Sequence, residues 1–142
     1  MPGQGTVNLA SFLKLYVASL VVCFSVDLLW LGVFAKGFYD RQMGHLLRAD
    51  VQWVPAVLFY LIYVAALIVF VVQPALEKQS LPRALEYGAF FGVAAYAAFD
   101  LTSLALLKGF PLTIAVVDLA WGATLSATVC GAGFLLARTF SW

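Results

Sequence analysis

Charged side chains are scarce in this chain. They make up 11% of its 142 residues, where a soluble domain carries about 25%, and the mean hydropathy is +0.99. A water-soluble fold would have nothing to put on its surface, so that class is excluded. The eight basic and seven acidic residues leave a net charge of +1, which offers no field for nucleic acid or for an acidic partner. Histidine occurs once, as His45, and cysteine twice, as Cys23 and Cys130. So few residues supply no spaced ligand set for a metal, no Ser–His or Cys–His pairing is evident, and no cofactor is implied. Both cysteines lie inside hydrophobic runs and read as small buried apolar residues. With Cys23 near mid-membrane and Cys130 close to one face, they are poorly placed for a disulfide. Linker-like sequence is confined to about the first eight residues.

What the chain does have is long apolar runs. Crossing roughly 30 Å of hydrocarbon takes about 20 helical residues, and four runs reach that length, at about 11–34, 53–74, 84–107 and 112–137. The first is too long for a signal-peptide core, holds Asp27, and lacks a small-residue cleavage site at its end, so it is expected to stay in the mature protein. The expectation is one membrane domain, 1–142, embedded in a lipid bilayer. The turns Glu77–Arg83 and Lys108–Pro111 are short enough to force antiparallel neighbours. The fold class is therefore an all-α integral membrane protein, a four-transmembrane-helix antiparallel bundle. The one long connection, Lys36–Gln52, carries apolar Phe38, Met43, Leu46 and Leu47, a pattern for a short interfacial helix between helices one and two.

Let side A hold both termini and side B the His45 connection. Side A then carries Lys14, Lys78, Arg83 and Arg138, and side B carries Lys36, Arg41, Arg48 and Lys108. The balance is even, so the positive-inside rule gives no orientation. Either other features set one topology, or both orientations insert and pair as antiparallel homodimers.

Three runs each contain one aspartate: Asp27 in Val26-Asp27-Leu28-Leu29-Trp30, Asp100 in Phe99-Asp100-Leu101-Thr102, and Asp118 in Val117-Asp118-Leu119-Ala120-Trp121. A charge at the centre of a span costs about 2.5–3.5 kcal/mol, which the surrounding Leu, Ile, Val and Phe offset at about 0.3–0.6 each. Insertion survives, yet each aspartate needs a reason to be there. At 1.5 Å rise per residue, all three lie about 9–11 Å below side B, and Tyr60 of helix two falls at the same level. On the faces of the aspartates lie Tyr16, Ser19, Cys23 and Trp30; Gly88, Gly92, Tyr96 and Ser103; and Trp121, Gly122 and Ser126. Small and polar residues belong inside a membrane bundle, because lipid is as apolar as leucine. Carboxyls crowded together in a low dielectric cannot all ionise, and neutral ones can hydrogen-bond Tyr60, Tyr96, Thr102 or one another.

The phrases Asp27-Leu-Leu-Trp30-Leu31, Tyr96-Ala-Ala-Phe-Asp100-Leu-Thr102 and Val117-Asp118-Leu-Ala-Trp121-Gly122 resemble the motifs of DUF2177, an uncharacterised family of bacterial membrane proteins. The resemblance covers nearly the whole chain. Ser103 stands where the family pattern often has asparagine after Asp-Leu-Thr. The resemblance implies four membrane helices, a multi-pass place in the bacterial cytoplasmic (inner) membrane, and no established activity.

Three functions compete. In the first, the aspartates bind or exchange a proton, a cation, or a small cationic or amphipathic molecule, with Trp30 and Trp121 as aromatic walls. In the second, Asp100 and Asp118 form an acid–base dyad acting on a lipid-linked substrate, a metal version of which would draw His45 to the aspartates. In the third, the chain is a non-catalytic partner, a small subunit or assembly factor within a larger membrane complex, as its scant extramembrane mass would suit. Apart from all three, the carboxyl, tyrosine and tryptophan groups would serve only as interhelical hydrogen bonds that fix the bundle. Orientation is directly measurable. A compartment-specific reporter on the C-terminus is expected to report a single side; equal signal from both sides would identify the antiparallel dimer instead.

Overall fold

The computed structural model describes residues 9–47 and 52–142; Arg48 lies outside them. Helix α1 (Leu9–Leu29) runs on through a π-helical turn, Trp30–Phe34. After Ala35 the chain restarts as α2 (Lys36–Met43) and a 3₁₀ turn, Gly44–Leu46. Helix α3 (Trp53–Leu67) passes through a second π-turn, Ile68–Val72, into α4 (Gln73–Glu77). Helices α5 (Leu81–Leu106) and α6 (Leu112–Thr139) complete the bundle. Among the described residues, four stretches are long and apolar enough to span a membrane: Leu9–Val33, Trp53–Glu77, Leu81–Leu106 and Leu112–Thr139. The architecture is the all-α, four-span antiparallel bundle with a short helix between the first two spans.

Two boundaries differ from the sequence reading, for reasons of backbone chemistry. Pro74 does not end the second span. It sits in the first turn of α4, where the preceding π-turn, closed by Gln73 N–H on Ile68 O, takes up the distortion a proline ring imposes. The third span opens at Leu81 because the Ser80 side chain accepts a hydrogen bond from Arg83 N at 3.2 Å, and Pro82 lies where its missing N–H is not needed. Between the spans, Ser80 N donates to Ala75 O at 3.0 Å and Gln79 N to Leu76 O at 3.1 Å. That pair of bonds is a Schellman cap, with Gln79 at φ 51° in the place glycine usually takes.

Apolar burial alone cannot hold a bundle in lipid, so contact distance matters more than hydrophobic area. Leu125, Val129, Cys130 and Phe134 of α6 pack against Tyr63, Leu67, Ile68 and Val72 of the second span and against Leu15 and Cys23 of α1. The closest approach is between α5 and α6. A Cβ on Gly92 would collide with the carbonyl oxygen of Gly122, and one on Gly122 would stand 2.9 Å from Gly92 O and 2.6 Å from the Tyr96 ring. Glycine is required at both positions by backbone proximity.

At the side B end, α2 folds back over the bundle. Phe110, Ile114 and Ala115 are buried beneath Phe38, Tyr39 and Met43 of α2 together with Leu104 of α5. His45 Nε2 lies 3.2 Å from Gly109 O, in a turn whose glycine has φ 78°. Gly92→Val is expected to force α5 from α6 and cost about 1–3 kcal/mol of stability, measured by denaturation in mixed detergent. Gly32→Ala, with nothing within 4 Å of the added methyl, should leave the midpoint unchanged.

Candidate functional site

The three aspartates are in three different hydrogen-bonding states. Asp27 sits on a stripe of α1 with Leu15, Ser19 and Cys23, all buried. One of its carboxyl oxygens accepts from the Tyr60 hydroxyl and the other from Trp121 Nε1 at 3.0 Å. It is fully engaged. Asp118, half-buried near the start of α6, accepts from the Tyr39 hydroxyl of α2. Asp100 is 0% exposed, no donor group of the protein reaches its carboxyl oxygens, and the Asp118 carboxyl lies within hydrogen-bonding range of it. The two carboxyls also interact electrostatically. Two ionised carboxylates are acceptors only, so proximity without a proton or cation between them leaves both oxygens of Asp100 unsatisfied.

A stacked tryptophan pair joins these groups. Trp30 and Trp121 lie 4.5 Å apart between centroids with an 11° interplanar angle. Trp121 donates to Asp27, while Trp30 Nε1 is 3.4 Å from the Tyr39 hydroxyl that serves Asp118. The π-turn at Trp30–Phe34 and the single break at Ala35 set this geometry. They turn α2 back so that Tyr39 reaches α6. Burial first, and then the hydrogen bond to Asp118, push the Tyr39 hydroxyl above the ordinary tyrosine value. It therefore stays protonated and acts as the donor.

The residues named from sequence fall into place unequally. Asp27, Tyr60, Trp121 and Trp30 meet around one carboxyl, and Asp100 and Asp118 meet around another. Tyr96 lies against Gly122 and contributes its ring to the α5–α6 contact. Thr102 is exposed, its hydroxyl turned back on Ala98 O and Phe99 O of its own helix, so the structure does not bring it to the aspartates. His45 meets Gly109 rather than a carboxyl, and among the described residues no group of three His, Cys, Asp or Glu side chains is arranged to hold a metal. Tyr39 was missed by the sequence reading. It is one of two aromatic residues in a polar connection, and only the fold of α2 turns its hydroxyl inward. Tyr63, which hydrogen-bonds Ser126 in the core, was missed for a similar reason.

A groove of about 370 Å³ opens beside this cluster. Leu31, Ala35, Met43, Leu47 and Phe99 form its apolar wall, and Tyr39, Asp40 and Asp118 supply its polar atoms. Residues 12–135 match the family described as "Predicted membrane protein (DUF2177)". The chain belongs to that family. Neither the curated proteins nor the solved structures contain a match to this DUF2177 member, so its chemistry rests on its own side chains. Asp27→Ala should strand the Tyr60 hydroxyl and the Trp121 N–H and lower stability by about 1–3 kcal/mol. Asp27→Asn, which retains an acceptor, should cost less. Thermal unfolding in mild detergent measures both.

Proposed function

We propose that this DUF2177 member binds, and carries across a bacterial cytoplasmic membrane, a proton, a cation, or a small cationic or amphipathic molecule. Asp100 and Asp118 are the exchange site within the membrane. The observation that supports the reading is Asp100 itself: completely buried, with no donor group of the protein at either oxygen and a second carboxyl within hydrogen-bonding range. An unpaired polar group in a dry interior costs several kcal/mol, and a proton or cation held between the two carboxyls removes that cost. Asp27 is not the exchanger by the same logic, because Tyr60 and Trp121 already occupy its oxygens. Its role is to hold the tryptophan pair beside the site.

A second reading draws on the groove. Because Asp118 lines it, that carboxyl is open to a lipid-linked substrate, with buried Asp100 beside it as the second member of an acid–base pair. Turnover of such a substrate, lost in both single Asn variants, would favour the enzyme. A non-catalytic subunit would instead co-purify with a fixed partner in mild detergent. For the carrier, Asp100→Asn and Asp118→Asn are each expected to abolish proton-linked flux in proteoliposomes loaded with a pH-sensitive dye. Asp27→Asn should keep most of it. Wild-type flux in both Asp100→Asn and Asp118→Asn would end the exchange-site reading.

A further inference from the structure

The groove beside Asp118 has a composition suited to one kind of occupant. Its wall of Leu31, Ala35, Met43, Leu47 and Phe99 is apolar, while its charged groups are two carboxyls, Asp40 and Asp118, and no basic residue lines it among the described residues. The volume, about 370 Å³, falls at the lower end of small-molecule sites, which run from about 300 to 1,000 Å³. Leu31 and Phe99 remain 44% and 57% exposed; both belong to candidate spans, so in the bilayer they face acyl chains. Asp40 belongs to α2 and is exposed. The groove thus joins an apolar flank to an acidic end roofed by an interfacial helix.

Resting on the exchange-site reading above, we infer that this groove is a lateral binding site for an amphipathic organic monocation, which enters from the side B leaflet. Its alkyl or aryl portion lies along Leu31, Met43, Leu47 and Phe99, and its charged head meets Asp118. A fatty anion would meet two carboxyls, and an uncharged chain would bring them no counter-charge. An inorganic cation has no use for the apolar wall. Tyr39 stands at the junction: its hydroxyl caps Asp118 and its ring borders the groove, where an arriving cation finds an aromatic face. Displacing that hydroxyl frees Asp118, beside which lies the buried Asp100.

The test uses the full-length protein in nanodiscs and a dodecylammonium probe with a photoactivatable diazirine in its chain. Cross-linked peptides are mapped by mass spectrometry. Labelling is expected on the α1 end around Leu31, on α2 and on the α5 end around Phe99, with competition by unlabelled dodecylammonium but not by dodecanol or dodecyl sulfate. Asp118→Asn should weaken labelling about tenfold or more, as removal of the head group's counter-charge predicts. Should Asp118→Asn fail to fold, Leu47→Arg is the alternative: it places a positive charge at an exposed position on the groove wall and should also suppress labelling. Groove labelling equal for the amine and the alcohol would overturn the inference. So would an absence of groove labelling while the wild type still shows Asp100-dependent proton flux, and in that case the exchange-site reading survives. Labelling that persists alongside wild-type flux in Asp100→Asn and Asp118→Asn would overturn the exchange-site reading, and the inference with it.

Discussion

The antiparallel contact between α5 and α6 is the constraint on which the site depends. Where Gly92 meets Gly122 and Ser126, the helices approach too closely for any Cβ, and this sets their register. One turn toward side B, Tyr96 covers Gly122; one turn further, Asp100 comes alongside Asp118. Because lipid supplies no hydrophobic drive between helices, such small-residue contacts carry much of the specificity of association. The register that packs the backbones is the register that crowds the carboxyls.

That crowding is resolved differently at each aspartate. The second span and α6 enclose Asp27 of α1 with donors from Tyr60 and Trp121, a satisfied buried network of the kind that rigidifies an interior. The stacked tryptophans pass the arrangement on to Tyr39, which satisfies Asp118 from outside the spans. Asp100 finds no donor group of the protein, only the carboxyl of Asp118. The three aspartates thus have two donors, one and none, and the one with none is buried next to the carboxyl that lines the groove. A group left unsatisfied at the end of an otherwise well-bonded network is where a ligand gains most by binding.

Helix α2 makes the site more than a cluster of acids. It is tethered to α1 through Ala35 and to the α5–α6 turn through His45 and Gly109. It presents Tyr39 to Asp118 on its inner side and roofs an apolar groove. This short helix is held by Phe38, Tyr39 and Met43 on a small buried patch.

The sequence by itself determined the class of protein, the four spans and the short helix between the first two. Those follow from local quantities: hydropathy summed over about 20 residues, proline and glycine punctuation, and turn length. Helical periodicity also put Ser19, Cys23 and Asp27 on one stripe and Gly88, Gly92 and Asp100 on another, and the buried faces of α1 and α5 follow those stripes. Thr102 shows the limit of such reasoning, since two residues from Asp100 along a helix is the opposite face. Only the tertiary structure decided which aspartate finds donors and which does not. That outcome depends on the π-turn that redirects α2, on the ring orientations of Trp30 and Trp121, and on the collision distance of two glycines. The π-turn is local but breaks the helical period, and the other two are relations between residues far apart in the chain, where no periodicity carries information.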